Sequence, residues 1–238
     1  MIKFLILGFF TFLLFPPFFI LPMGFIVFPM FYFHIKSINQ SHSYLYYVIN
    51  GLFFSFGLFS LYLIWIKNPF LLNEISKNYS YISFLLIFVI SLIFGLLFIL
   101  FKYFKSLRYD IILVPLIFTI FEMIIGNLWH GFPWISFALI ISNNFLGSIL
   151  LSIFGSYGTS FILINIFLIP AYYLKYKKFF NKSNNKILLL IFFVSIIIIF
   201  SLNKIHINKI HEKNLDVDLV QLNFSVSDNI SSQKKFIE

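Results

Sequence analysis

An acidic side chain inside an apolar run is the first candidate for chemistry in this sequence. Glu122 is the only acidic residue of the run 111–129. An Asp, Lys or Arg at mid-membrane costs about 2.5–3.5 kcal/mol on insertion scales, so an ionisable residue there indicates function. Seven residues separate it from Trp129, about 10 Å along a helix. We therefore expect Glu122 just below one membrane surface. There it either packs as a hydrogen-bonded group, orients the loop that follows or contacts a lipid headgroup.

The loop after this run holds the next candidates, His130, Gly131, Phe132, Pro133 and Trp134. Glycine permits a sharp turn, proline fixes φ, and aromatic rings favour the membrane interface. This pattern is typical of an aromatic interfacial loop, and a loop that faces substrate is the alternative. A single histidine can titrate near neutrality, but it is more typical of a surface group than of a metal or catalytic site.

Other catalytic patterns are absent from the sequence. It contains no cysteine, which excludes a disulfide, a thiolate metal site and a cysteine nucleophile within these residues. There is no glycine-rich phosphate loop and no pair of carboxylates, and His206 and His211 lack a third metal ligand. The sequence therefore predicts no metal, no cofactor and no complete catalytic set in this chain.

Small residues recur at three- and four-residue spacing later in the chain, which is typical of membrane helices that approach each other closely. We therefore expect helix packing along the row formed by Ser148, Ser152, Gly155, Ser156, Gly158, Thr159 and Ser160.

The composition indicates a membrane protein. Of the 238 residues, 61% are hydrophobic and only 11% are charged, whereas soluble domains are about half apolar and a quarter charged. A soluble domain and a disordered chain are both excluded. The 37 phenylalanines are interpreted as lipid-facing bulk. The net charge of +9 is attributed to cytoplasmic loops, and no nucleic-acid partner is expected.

Seven apolar runs predict an all-α polytopic helix bundle over residues 1–202. The first two are short and are separated by Pro16 and Pro17, so we interpret them as two spans joined by a tight turn. One long kinked span, giving six in all, is the alternative. The runs are 4–15, 18–33, 44–66, 81–101, 111–129, 146–174 and 187–202.

Basic residues fall on alternate loops, and this pattern predicts the orientation. The loops after the second, fourth and sixth runs are basic, and residues 175–186 alone hold five lysines. Of the opposite loops, one holds Lys67 and Lys77 and the other holds no Lys or Arg. Because cytoplasmic loops carry the excess of Lys and Arg, we expect a cytoplasmic N-terminus and an extracytoplasmic C-terminal tail.

The end of the sequence changes character. Residues 203–214 are polar and basic and predict a linker. In residues 215–221 apolar and polar residues alternate, as in a strand with one buried face. Since an isolated strand is not stable, residues 215–238 are interpreted as the start of a further, incomplete domain.

Taken in order, these segments resemble the apolipoprotein N-acyltransferase family of bacterial inner membranes. The most specific match is Glu122 and Gly126 followed by Gly131-Phe132-Pro133-Trp134, which resembles the family's Glu-x-x-Arg-Gly and Gly-Phe-Pro-Trp pattern. Weaker matches are a proline-broken first hairpin, a third span, the entry to a sixth span and the Val-Gln-x-Asn end of a strand. They lie at residues 15–22, 56–66, 155–161 and 220–223.

The resemblance implies a nitrilase-like α/β domain outside the membrane, with Gln221 and Asn223 at its entry. In the family a Glu-Lys-Cys triad acts there by covalent catalysis. The cysteine takes an acyl chain from a phospholipid as a thioester and passes it to the α-amino group of a lipid-modified cysteine on an apolipoprotein. The glutamate acts as general base and the lysine stabilises the oxyanion. All three family positions lie beyond Glu238.

The sequence also departs from the family pattern. Ile125 stands where the family has arginine, and Ser225 and Ile230 stand in place of a proline and a tryptophan. An ion pair with Glu122 and substrate contacts by that tryptophan are therefore not carried over.

The leading hypothesis is that the chain is the N-terminal membrane part of such an enzyme in the bacterial inner membrane, inactive by itself. Its partners would be membrane lipids, a phospholipid acyl donor and an apolipoprotein acceptor. The alternative is a non-enzymatic membrane module that docks a separately encoded nitrilase-like chain. A transporter is a third class, but it would need a polar path that Glu122 alone does not provide.

Overall fold

The computed structural model describes residues 1–72, 74–104, 106, 110–128 and 134–176. All regular secondary structure in these ranges is helical, with short 3₁₀ segments between the α-helices. The α-helices are α1 Ile2–Phe12, α2 Gly24–Ser37, α3 Tyr44–Tyr62, α4 Glu74–Lys77, α5 Ile82–Leu97, α6 Ile99–Phe104, α7 Leu113–Asn127, α8 Phe145–Phe167 and α9 Ile169–Lys175.

Four helical segments are long and apolar enough to cross a membrane, judged by length and composition. They are Tyr44–Tyr62, Ile82–Phe104, Asp110–Asn127 and Phe145–Phe167. Helix α1 is apolar but shorter, and α2 contains Pro29. The predicted span 187–202, the linker 203–214 and the strand 215–221 lie outside the described residues. The structure therefore confirms an all-helical membrane bundle here, but not seven spans or a strand.

The first 37 residues form two helices rather than one long kinked helix. Helix α1 ends at Phe12, and the two prolines lie in the turn that follows. The Ile20 amide donates to the Leu13 carbonyl at 3.0 Å, which closes this turn before a 3₁₀ segment leads into α2. Because proline has no N–H to donate to a helical ladder, the break between α1 and α2 occurs at Pro16 and Pro17, as predicted.

Glycines bring α1 and α3 into direct backbone contact. A Cβ added at Gly8 would lie 2.0 Å from the Phe54 carbonyl oxygen, and one added at Gly57 would lie 2.4 Å from that of Leu5. Such distances leave no room for any side chain. Because lipid tails are as apolar as leucine, close packing of this kind is what drives membrane helices together.

Helices α3 and α5 pack through a second set of small residues. The Ser55 hydroxyl, buried in α3, donates across the interface to the Ser91 carbonyl at 2.9 Å. A Cβ at Gly95 would lie 2.9 Å from the Val48 carbonyl oxygen. The hydroxyls of Ser55 and Ser91 thus find their acceptors within the bundle, where lipid offers none.

The core is built from phenylalanine rings, so the interpretation of these residues as lipid-facing bulk is wrong for many of them. Phe118 of α7 is fully buried. Its ring lies within 5.7 Å, centroid to centroid, of five others, and all five contacts are edge-to-face. The five rings are those of Phe28, Phe31, Phe54, Phe94 and Phe137.

A buried carboxylate joins three segments at one end of the bundle. Asp110 precedes α7, is 4% exposed, and forms salt bridges with Lys36 at the end of α2 and Lys175 at the end of α9. The Tyr32 hydroxyl donates to it at 3.0 Å. Burial alone would lower the pKa of Lys175, but hydrogen bonds to Asp110 and Tyr32 outweigh it, so the net shift is upward. This Asp110 clamp was not predicted from the sequence.

The clamp and nearby contacts define a lysine end of the bundle. Lys102 at the end of α5–α6 donates to the His42 carbonyl in the α2–α3 loop at 2.6 Å. The starts of α1, α3 and α7 and the ends of α2, α6 and α9 meet at this end. The opposite end, called here the tryptophan end, contains Tyr62, Trp65 and Trp134.

We predict that Gly8→Ala destabilises the fold by about 1–3 kcal/mol, the usual cost of overpacking, because α1 and α3 must move apart. The measurement is the free energy of unfolding in detergent micelles. Gly126→Ala is the matched control, since its added Cβ would meet only the Tyr157 hydroxyl, at the end of a rotatable side chain. Equal losses in the two variants would contradict the close packing of α1 and α3.

We predict that Asp110→Asn lowers the free energy of unfolding by about 1–3 kcal/mol, because two lysines lose their charged partner. The loss stays below that of a fully buried pair, since Lys36 and Lys175 are 41% and 21% exposed and still reach water. Glu74→Gln, an exposed acid on α4, is the control and should change stability by less than about 0.5 kcal/mol. Similar values for both substitutions would argue against the clamp.

Candidate functional site

Glu122 is buried between α7, α8 and the segment that follows the loop after α7. It is 1% exposed. Its Oε1 accepts the Phe137 backbone N–H at 2.7 Å, and its Oε2 accepts the Ser160 hydroxyl at 2.9 Å. The Ser136 hydroxyl lies at 3.5 Å from Oε2, a weaker contact. One carboxylate therefore holds together α7, α8 and residues 136–137.

The Phe137 amide explains why a carboxylate suits this position. It begins the 3₁₀ segment Phe137–Ile141, and the first amides of a helical segment have no partner within it. The Ser136 hydroxyl accepts the Ala138 amide at 3.3 Å. Glu122 accepts the preceding amide, so two side chains accept the first two amides of the segment.

A bend in α8 decides which of its small residues reach Glu122. Gly155 has φ 65° and ψ −176° inside the helix, a backbone conformation that only glycine adopts readily. After the bend Thr159 and Ser160 are buried, whereas before it Ser148 and Ser152 are exposed. Helix packing was expected along the whole row, but only its last two residues pack inside the described part of the bundle.

Thr159 lies directly beside this hydrogen-bonded group. It is fully buried, and its hydroxyl has no hydrogen-bond partner among the described residues. Its neighbour Ser160, by contrast, donates to the carboxylate. Of these two neighbouring hydroxyls in α8, only that of Ser160 has a hydrogen-bond partner among the described residues.

The aromatic part of the site lies at the surface of the tryptophan end. Trp134 is 55% exposed, and its ring centroid is 5.0 Å from that of Trp65. Its carbonyl accepts the Tyr62 hydroxyl at 3.0 Å, and the ring of Tyr62 packs on Phe15 at 4.5 Å. Exposed tryptophans at the end of a bundle are typical of the membrane interface.

The structure places two of the predicted site residues, Glu122 and Trp134, on the same side of the bundle. Ser136 and Phe137, which follow Trp134 closely in the chain, contact Glu122 directly. Ile125, where the family pattern has arginine, is buried. The remaining candidates lie outside the described residues: His130, Gly131, Phe132, Pro133, Gln221 and Asn223.

Sequence reasoning missed the residues that bind Glu122. The one usable signal was Ser136 before an apolar stretch, which is typical of a residue that begins a helix. Among the described residues, no group of three His, Cys, Asp or Glu side chains could hold a metal ion. The arrangement fixes the backbone of residues 136–137 against α8.

Comparison with known families decides the identity of this bundle. The family model described as the apolipoprotein N-acyltransferase N-terminal domain matches residues 7–169. The chain belongs to the apolipoprotein N-acyltransferase family. The matched range contains Glu122, all of its hydrogen-bond partners and the tryptophan end. Comparisons with curated proteins and with solved structures gave no match.

We predict that Glu122→Leu costs about 1–3 kcal/mol of stability for each buried group left unpaired, the Phe137 amide and the Ser160 hydroxyl. Glu122→Gln should cost about 1 kcal/mol or less, because its carbonyl oxygen still accepts the amide and the serine hydroxyl can turn to accept. Unfolding in detergent micelles measures both, and hydrogen exchange in residues 134–142 should quicken only in the leucine variant.

The control for this pair is Met123→Leu, an exposed neighbour on the same helix, which should behave as the parent chain. If the Glu122→Leu variant is as stable as the Glu122→Gln variant and its amides exchange as slowly, the positioning role of Glu122 is contradicted.

Proposed function

We propose that this chain forms the membrane part of an apolipoprotein N-acyltransferase. The enzyme would transfer an acyl chain from a phospholipid to the N-terminal, lipid-modified cysteine of an apolipoprotein. The family match over residues 7–169 carries the proposal. Four apolar helices and a surface pair of tryptophans support it, because both substrates are anchored in a membrane.

The proposed orientation places the lysine end in the cytoplasm and the tryptophan end outside, in the bacterial inner membrane. Lys36, Lys102 and Lys175 lie together at the lysine end. Since cytoplasmic ends of membrane proteins carry the excess of basic residues, the charge distribution favours this arrangement. The N-terminus would then be cytoplasmic, and the C-terminal tail would be extracytoplasmic.

Within this proposal Glu122 is a positioning residue. Its hydrogen bonds fix residues 136–137 against α8, and so fix one end of the loop that carries Gly131-Phe132-Pro133-Trp134. That loop is the candidate surface for substrate or for the nitrilase-like domain. A rigid scaffold that carries a functional loop is the usual arrangement in enzymes.

The nucleophile would come from outside these 238 residues, which contain no cysteine. In the proposed reaction a thiolate attacks the phospholipid ester carbonyl, the ester C–O bond breaks and a lysophospholipid leaves. The α-amino group of the acceptor then attacks the thioester carbonyl and releases the thiolate. A nitrilase-like domain, entered near Gln221 and Asn223, would supply the cysteine, either on the same polypeptide or on a separate one.

We predict that the 238-residue chain in proteoliposomes does not acylate a diacylglyceryl-modified lipopeptide. Adding a nitrilase-like domain of the family, with its Glu-Lys-Cys triad, should produce a mass gain of one acyl chain on the lipopeptide. Mass spectrometry of the lipopeptide is the measurement. The controls are that domain alone and its Cys→Ala variant, both expected to be inactive.

The outcomes separate the hypotheses. Acylation by the chain alone would refute the need for an external cysteine. Stable binding of the nitrilase-like domain without transfer would favour the non-enzymatic docking module. The added domain must first be shown to be active with the membrane part of another family member. If that domain then neither binds this chain nor transfers an acyl chain, the proposed function is refuted.

A further inference from the structure

A cavity of about 790 Å³ opens at the lysine end, between the start of α1, the end of α2 and the start of α3. Binding sites for small molecules commonly measure about 300–1,000 Å³, so the size suits a ligand. The cavity lies at the opposite end of the bundle from the Glu122 contacts.

Three basic side chains line this cavity. They are Lys3 of α1, His34 of α2 and His42 of the α2–α3 loop, and among the described residues no Asp or Glu lines the cavity. None of the three forms an ion pair with a described residue; the salt bridges at this end join Lys36 and Lys175 to Asp110. The positive charge of Lys3, which no described acid in the lining neutralises, favours an anionic ligand.

The histidine rings are held in place by aromatic neighbours, which leaves their nitrogens available as donors. The His42 ring stacks on Tyr46 with centroids 4.2 Å apart, and the His34 ring meets Phe4 edge-on at 6.1 Å. The His42 carbonyl is fixed by Lys102. A ring N–H of histidine donates to phosphate oxygens.

Apolar side chains line the same cavity beside the cations. Ile2, Ile38 and Phe53 are among them, and Ile2 is 70% exposed. A free phosphate would gain nothing from these side chains, whereas the glycerol and first acyl carbons of a lipid would pack on them. The combination of cations and apolar surface at the end of a helix bundle therefore points to a lipid headgroup.

We propose that this cavity binds the phosphate headgroup of an anionic phospholipid, with Lys3 as its charge partner and His34 and His42 as hydrogen-bond donors. Basic pockets between membrane helices bind acidic headgroups in this way. The lipid would hold together the three segments that meet there.

The test is a titration of the purified full chain in neutral detergent micelles, with bound ligand counted by native mass spectrometry. The ligands are short-chain phosphatidylglycerol, short-chain phosphatidylcholine and glycerol phosphate. We expect phosphatidylglycerol to bind at least about ten-fold more tightly than either of the others. A charge-assisted hydrogen bond of about 1.5–3 kcal/mol corresponds to a factor of ten or more.

The decisive test compares phosphatidylglycerol binding among variants of Lys3. Lys3→Gln should weaken phosphatidylglycerol binding about ten-fold and Lys3→Glu further, whereas Lys3→Arg should bind as the parent does. Lys3 is exposed in the first turn of α1, where an acid is favoured by the helix dipole, so folding should be retained. Thermal unfolding of each variant checks this.

Lys77→Gln is the matched control, because it removes one exposed charge from α4 at the other end of the bundle. If phosphatidylglycerol binding falls as much in Lys77→Gln as in Lys3→Gln, the attraction is non-specific and the proposal is overturned. Equal affinity for phosphatidylcholine would also overturn it. If glycerol phosphate binds as tightly as phosphatidylglycerol, the ligand is a soluble phosphate ester and the lipid proposal is overturned.

Discussion

A polar group buried in a membrane must find its partner within the protein, and the position of α7 follows from this constraint. Asp110 before α7 binds lysines from α2 and α9. Glu122 near its other end binds the Phe137 amide and the Ser160 hydroxyl of α8. Two buried carboxylates thus fix α7 at both ends, each by contacts with elements remote in sequence. Loss of Glu122 would leave buried donors that lipid cannot satisfy, whereas the lysines that bind Asp110 still reach water.

Between these two carboxylates α7 is held by shape alone. The five rings around Phe118 have no polar atoms, and transfer from lipid to protein gives such rings little hydrophobic gain. Their contribution comes from contact geometry, which is why edge-to-face pairs dominate. The glycines and serines that join α1, α3 and α5 act in the same way, through close approach of backbones. Polar contacts fix the position of α7 along its axis, and apolar contacts fill the space between it and the neighbouring helices.

Apolar run length and proline position predicted the helical class, the four long helices and the break after α1. They could not predict which faces meet. A helix that is apolar all round carries no stripe that points to a core, so Phe118 could not be told from a lipid-facing phenylalanine. The Asp110 clamp was missed for a related reason, because its lysines lie 74 and 65 residues away. In the candidate site, Glu122 stood out since charge is rare in an apolar run, whereas its partners are ordinary serines and a backbone amide.

The replacement of the family's arginine by Ile125 raises the question of what balances Glu122. The structure answers it through hydrogen bonds rather than charge. Two donors at 2.7 and 2.9 Å, with a third at 3.5 Å, approach the two carboxyl oxygens of Glu122, and such hydrogen bonds satisfy a buried carboxyl group without a charged partner. Ile125 is meanwhile 2% exposed, so an arginine there would need a buried partner of its own. Glu122 can therefore hold the start of the segment 137–141 without an ion pair.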